Sequence, residues 1–263
     1  MTSAHPASSP GGDQLPGISH VLLDIEGTTC PVSFVADILF PHAISSVGPF
    51  LEQETGHPRV QELLKEVREA WRQETDPGAI ALRNASNRSG VSEPADVVPY
   101  LVWLMRHDHK LAPMKELQGM IWQKGYGSGQ LQAPLFKDVA AALLRWHHQG
   151  MVMAVYSSGS VTAQQLLYQF STAGDLRSLF QFWFDRRTGN KDDPSSYRRI
   201  AELMAVECRH VLFISDSIAE LEAAAATGMT VIFSEREGNP RKDPGVFCSI
   251  QAFDQVPHVL AGG

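Results

Sequence analysis

The residues that could do chemistry stand where short apolar runs end. Asp24 and Glu26 open the segment Asp24-Ile25-Glu26-Gly27-Thr28-Thr29, directly after the run Ile18–Leu23. Ser157 and Ser158 lie in Tyr156-Ser157-Ser158-Gly159-Ser160, Lys191 in the loop Thr188–Ser196, and Asp216 between Ser215 and Ser217. Each type has a task in phosphoryl transfer. A carboxylate such as Asp24 can attack phosphorus and form an aspartyl-phosphate, which splits one hard step into two easier ones. That carboxylate and a dianionic substrate repel, so a hard cation is needed between them. Mg²⁺ suits such a site, because it keeps several waters and needs few protein ligands. Asp24 and Asp216 could supply two ligands, with Glu26 joining by side chain or by backbone. Ser157, the N–H groups around Ser158-Gly159, and Lys191 would cradle the remaining phosphoryl oxygens. Singly, each has a plainer reading: Asp24 as a loop cap, Ser158-Gly159-Ser160 as a helix start, Lys191 beside Asp192 and Asp193 as a solvated charge cluster. The ordered set on successive strand ends favours chemistry.

Those positions require strands to hold them. Ile18–Asp24, Met151–Ser157, Phe180–Asp185, His210–Ser215 and Thr230–Ser234 read as short buried strands. Helical patterns at Leu135–Gln149, Val161–Ala173, Ser195–Ala205 and Ser217–Gly228 alternate with them. The alternation predicts an α/β fold with a doubly wound parallel sheet, in which ligands bind at the carboxyl ends of strands. Between Val32 and Gln132 only helices are expected. One covers Pro58–Glu74 with Val60, Leu63, Leu64, Val67 and Trp71 on one stripe. Another follows Ser92 and Pro94, and a third covers Pro113–Gln123 and runs into Lys-Gly-Tyr-Gly-Ser-Gly, expected to be a hinge. The expected organisation is a flexible tail over 1–17, an α/β core over 18–31 and 133–263, and an all-helical cap over 32–132. Trp71, Trp103 and Trp122 read as cap core. His107, His109, His147 and His148 lack strand-end placement and read as solvated.

Composition narrows the classes. With 263 residues, 43% of them hydrophobic, and mean hydropathy −0.14, the chain can bury a substantial core. A net charge of −7 argues against a nucleic-acid partner. Attraction for an anionic small molecule must then come from a metal, a local lysine and backbone N–H groups. Cys30, Cys208 and Cys248 show no metal-ligand or disulfide spacing and read as thiols. The opening residues lack a basic start followed by an apolar run, and no stretch is expected to approach the ~20 apolar residues of a membrane span. A cytoplasmic monomer with no membrane partner is expected.

The pattern of nucleophile Asp, strand-end Ser, later Lys and acidic fourth strand resembles the haloacid-dehalogenase superfamily over Ile18–Ser234. Within it, Asp24–Thr29, Trp122–Tyr126, Tyr156–Ser160 and Arg236-Glu-Gly-Asn-Pro240 resemble the enolase-phosphatases of methionine salvage. Glu26 is the discriminating residue, since most phosphatases of the superfamily carry Asp there. The resemblance implies conversion of 2,3-diketo-5-methylthiopentyl-1-phosphate to the acireductone 1,2-dihydroxy-3-keto-5-methylthiopentene and phosphate. It implies Mg²⁺ as cofactor, with Asp24, Glu26 and Asp216 as the metal group. Ser157, Ser158 and Lys191 would bind substrate, and Asp24 and Glu26 would be catalytic. It also implies that the helical insertion closes over the substrate and excludes bulk water. Three rivals stay open: a phosphatase of another small phosphate ester, a dehalogenase, and a non-catalytic binding protein of the same fold.

Overall fold

The computed structural model describes residue 15 and residues 17–89, 94–107 and 109–261. Of the expected tail only Leu15 and Gly17 are described, and Ser92, expected at a helix start, lies outside the described residues. The tail is already tied down where it becomes visible: Leu15 is buried, and His210 Nδ1 donates to the Gly17 carbonyl at 2.7 Å.

In chain order, β1 (His20–Leu23) is followed by a π-helical turn, Phe34–Leu39, which runs into α1 (Phe40–Gln53). Then come α2 (Pro58–Gln73), α3 (Pro77–Ser89), α4 (Val98–Arg106) and α5 (Ala112–Gly127). After these, α6 (Val139–His148), β2 (Val152–Tyr156), α7 (Val161–Gln169), β3 (Phe182–Phe184) and α8 (Pro194–Leu203) alternate. The chain ends with β4 (Val211–Ser215), α9 (Ile218–Ala225), β5 (Thr230–Ser234), β6 (Ser249–Ile250) and α10 (Val256–Ala261).

The chain divides into two compact units. The α/β unit comprises residues 1–32, 134–164 and 173–263; the helical unit comprises residues 33–133 and 165–172. Residues 165–172, expected in the α/β core, thus group with the helices. A backbone ladder accounts for this, with Ala133 N–H donating to Phe170 O and Thr172 N–H to Ala133 O, both at 2.9 Å.

In the α/β unit all strands pair in parallel, in the order β3-β2-β1-β4-β5-β6. Leu22 of β1 lies between Ala154 of β2 and Phe213 of β4, so β1 is central and buried on both faces. The order reverses direction at β1, which makes the carboxyl ends of β1 and β4 the switch point where such sheets bind ligands. Tyr156, Tyr197, Ile200, Phe213, Leu221 and Phe233 form part of the core on which α8 and α9 pack. The helix α6 starts at Val139 rather than Leu135, because the Phe136 N–H is committed to the Thr29 carbonyl at 3.1 Å.

The helical unit is built on apolar stripes. Val60, Leu63, Leu64, Val67 and Trp71 form the buried face of α2, as their spacing predicts. Trp71 stacks on Tyr100 with ring centroids 4.9 Å apart and donates from Nε1 to the Ala79 carbonyl. Of the expected hinge at Lys124–Gly129, the first four residues lie inside a helix. There α5 runs on to Gly127, and a Cβ on Gly125 would collide with His42 and Leu131, so the glycine serves close packing within a helix. The continuous helix Phe34–Gln53 also corrects an expectation. Its 20 residues and window hydropathy of 1.4 are long and apolar enough to cross a membrane by length and composition. Core helices pass the same test, and Phe34, Leu39, Ala43, Val47, Phe50 and Leu51 are buried here.

Candidate active site

The candidate site lies within the α/β unit, at the carboxyl ends of β1, β2 and β4. Asp24 follows β1 directly, and its N–H donates to the Ile214 carbonyl of β4 at 3.1 Å, which fixes the backbone at the sheet edge. The residue is 5% exposed. Its Oδ1 accepts from Lys191 Nζ at 2.5 Å and its Oδ2 from Thr28 Oγ1 at 3.2 Å. The same ammonium pairs with Glu220 Oε2 at 2.7 Å, and Ser215 Oγ donates to that oxygen at 2.9 Å. Lys191 is held from behind as well, since Tyr197 OH donates to its carbonyl at 2.7 Å. The loop reaches the site because Asp193 caps α8, accepting from Ser195 N–H at 2.8 Å.

Asp216 follows β4 and accepts from Lys242 Nζ at 2.6 Å. Between the two acids the chain passes at Gly27, whose φ of +83° disfavours any side chain. A Cβ there would run into the Asp216 carboxylate. The turn Asp24–Cys30 is tight: Thr28, Thr29 and Cys30 all donate their N–H groups to the Ile25 carbonyl.

Crowded acids shift one another. Burial, and then the charge of Asp24, raise the pKa of Asp216. Glu26 is exposed as a residue, yet partial loss of solvent around its carboxyl, followed by Asp24 and Asp216, pushes it up to about 7. Burial and Asp24 push Glu220 up to about 7 as well, against the pull of Lys191. For Lys191 burial acts to lower the pKa, but Asp24 and Glu220 outweigh it and the net direction is upward. The cluster therefore favours an added positive charge.

Of the residues singled out from sequence, Asp24 and Lys191 are in direct contact, and Asp216 and Glu26 are close enough for Asp24's charge to act on both. Ser157 is half-buried after β2, and its Oγ accepts from Gly159 N–H at 3.3 Å. Ser158 is exposed beside it. Among the described residues, neither serine bonds to Asp24, Lys191 or Asp216. His107, His109, His147 and His148 are all exposed, and no group of three or more His, Cys, Asp or Glu side chains among the described residues could hold a metal.

With this geometry in place, known proteins supply the context. A model of haloacid dehalogenase-like hydrolases matches residues 18–228. The enolase-phosphatase E1 of Synechococcus sp. (strain RCC307) is 47% identical over 236 residues, covering 88% of this chain and 92% of that protein. The enolase-phosphatase E1 of Prochlorococcus marinus (strain MIT 9313) is 44% identical, covering 86% and 93%. This chain belongs to the enolase-phosphatase E1 family. A crystal structure of the UTR4 protein of Saccharomyces cerevisiae superposes with a TM-score of 0.69 at 31% identity, covering 90% of this chain and 98% of that one. CbbY from Rhodobacter sphaeroides, in complex with xylulose-1,5-bisphosphate, shares the fold at TM-score 0.53 and 14% identity.

Membership in the enolase-phosphatase E1 family does not make Glu220, Thr28 and Lys242 visible in the sequence; the structure does. Glu220 sits in the first turn of α9, four residues after Asp216. That spacing, one helical turn past a strand end, is the signal that could have found it. Lys242 is remote in sequence from the acid it meets, and nothing local marks it.

Proposed function

We propose that the protein is a bifunctional enolase-phosphatase that converts 2,3-diketo-5-methylthiopentyl-1-phosphate to 1,2-dihydroxy-3-keto-5-methylthiopentene and phosphate. The observation that carries this reading is the buried Asp24 carboxylate, oriented by Lys191 and Thr28 at the switch point of a sheet whose sequence belongs to the enolase-phosphatase E1 family. First a proton leaves the carbon bearing the phosphate ester and the neighbouring carbonyl oxygen gains one, giving an enol phosphate. Asp24 then attacks phosphorus, the enol oxygen leaves and takes a proton, and water hydrolyses the aspartyl-phosphate. We assign proton transfer to the carboxyl of Glu26, whose pKa partial burial and the neighbouring acids raise to about 7. Lys191 holds a phosphoryl oxygen, while Ser157 and Ser158 take the others with the N–H groups at the start of α7.

A divalent cation fits the residues present. Asp24 and Asp216 offer two carboxylates whose mutual repulsion is unrelieved apart from their lysines. In the turn, the carbonyls of Ile25, Gly27, Thr28 and Thr29 each accept a hydrogen bond, whereas among the described residues none donates to the carbonyl of Glu26. Two carboxylates, one carbonyl and waters suit Mg²⁺, and the lack of a third clustered carboxylate favours Glu26 joining by its backbone. When bound, Mg²⁺ would neutralise charge between the acids and the phosphate dianion. The reading includes a monomer acting on a small soluble ester in the cytoplasm, with residues 32–132 as the cap that excludes water.

A time course with the diketone phosphate and Mg²⁺, following enol absorbance and phosphate together, tests it. Acireductone and phosphate are expected from the wild type, and no phosphate from Asp24→Asn. Phosphate from generic esters, with no turnover of the diketone, would overturn the substrate assignment.

A further inference from the structure

The segment Ser234–Lys242, at the end of β5, contains Arg236-Glu-Gly-Asn-Pro240, which no step above uses. Its polar side chains converge on the turn that carries Asp24. Arg236 is 4% exposed, and its guanidinium lies over Phe253 and Phe136 at 4.3 and 5.0 Å. From Nε it donates to the Thr28 carbonyl at 3.0 Å, and from Nη1 to Asp138 Oδ2 at 2.8 Å and to the Gln251 carbonyl at 2.9 Å. Asn239 spans the turn: its Nδ2 donates to the Gly27 carbonyl at 3.1 Å, and its Oδ1 accepts from Val32 N–H at 3.2 Å. Ser234 Oγ adds a second donor to the Gly27 carbonyl at 3.3 Å. The same segment lines a cavity of about 250 Å³ that reaches Asp216.

These bonds have a specific effect. They commit the carbonyls of Gly27 and Thr28, while among the described residues no group donates to the carbonyls of Asp24 and Glu26. They also hold Thr28, whose hydroxyl donates to Asp24, and Gly27, where an added Cβ would run into the Asp216 carboxylate. We infer that Arg236 and Asn239 are positioning residues: a strap from the end of β5 that fixes the Asp24 carboxylate through Thr28 and commits the carbonyls of Gly27 and Thr28, leaving that of Glu26 without a protein donor among the described residues. The inference rests on the reading of Asp24 as nucleophile. A planar fork meeting three acceptors cannot be replaced by a lysine ammonium, and fixing groups that themselves orient ligands is the outer-shell role.

The test compares Arg236→Lys and Asn239→Ala with Ile200→Ala, a core change in α8 far from these bonds in sequence, and with Asp24→Asn. Each is assayed for kcat, KM, thermal midpoint and Mg²⁺ affinity by calorimetry without substrate. Arg236→Lys and Asn239→Ala should each lower kcat about 10–100-fold with KM within about threefold, and weaken Mg²⁺ binding about tenfold. Ile200→Ala should lower the midpoint at least as much while leaving kcat and Mg²⁺ affinity in the folded protein unchanged. Asn239 is half-buried, so its variant reports even where Arg236→Lys does not fold. If Asn239→Ala behaves like Ile200→Ala, the strap is scaffold and the inference fails, while loss of phosphate release in Asp24→Asn keeps the nucleophile. Phosphate release from Asp24→Asn would overturn both.

Discussion

The two units of the chain both have apolar cores but place their charges differently. In the helical unit, rings and aliphatic stripes are buried, and most charges pair at the surface, as Arg59 does with Glu62 and Glu116 at 43–62% side-chain exposure. In the α/β unit a buried network links Asp24, Lys191, Glu220 and Ser215, and a buried guanidinium, Arg236, bridges three segments. Apolar packing is cheap to build and tolerant of change of similar volume. Buried ions are costly unless every partner is present. All the residues assigned to chemistry lie in the unit that carries this cost. That is the expected distribution if the charges are kept for function rather than for stability.

The comparison can be broken at its strongest point first. Asp24→Asn should cut phosphate release by at least about 10⁴-fold, as loss of a nucleophile does, with little change in thermal midpoint; a residual rate within tenfold of wild type would remove Asp24 from the chemistry. Lys191→Met should cost both activity and stability. It leaves two buried carboxylates facing each other, and breaking such a pair typically costs about 3–5 kcal/mol. Adding Glu220→Gln should return part of the stability and none of the activity, as read by denaturant unfolding alongside phosphate release. If the double variant recovers turnover, Lys191 is a structural counter-ion only.

In the helical unit the same magnitude should arise without chemistry. Leu63 is fully buried on the α2 stripe. Leu63→Ala should cost about 2–5 kcal/mol through lost transfer energy and a cavity. At temperatures where the variant remains folded, the Mg²⁺ affinity of the α/β unit should match wild type. A weakened affinity would show that the two kinds of stabilisation are coupled.

What could be read from the sequence follows the same division. The strands β1, β2, β4 and β5 end where their apolar runs end, and the polar residues after β1 and β4 are the ones placed at the sheet's switch point. Asp24 and Asp216 were legible for that reason. The two-residue strand β6 was not, since Ser249–Ile250 carries no periodicity. Nor was α1 singled out among the helices expected there, although Pro41 falls in its first turn and Pro49 is carried inside it. The glycines at the end of α5 were ambiguous in sequence, since close helix packing and hinging ask for the same residue. Glu220 and Lys242 were hidden, and the role of Arg236 with them, because their partners are set by tertiary approach. Glu220 in addition sits in an alanine-rich helix whose composition speaks of packing against a sheet.

The smallest effect concerns the cost of those acids in the metal-free protein. Partial burial, and then the charges of Asp24 and Asp216, raise the pKa of Glu26 from 4.5 to about 7 against the pull of Lys242 and Lys191. Between these values the folded state binds more protons than the unfolded one, so stability falls as pH rises through that window and is level on either side. Glu220, raised to about 7 in the same cluster, adds a slope of the same sign. In chelator, the midpoint of the wild type should therefore decline from pH 4.5 toward 7 by more than that of Glu26→Gln, which keeps only the contributions of the other raised acids, Glu220 and Asp216. Saturating Mg²⁺ should reduce the difference, because a cation at Asp24 and Asp216 would offset the part of the shift that their charges cause. Parallel pH profiles for wild type and Glu26→Gln without metal would mean that the Glu26 carboxyl is fully solvated and takes no share in the cluster.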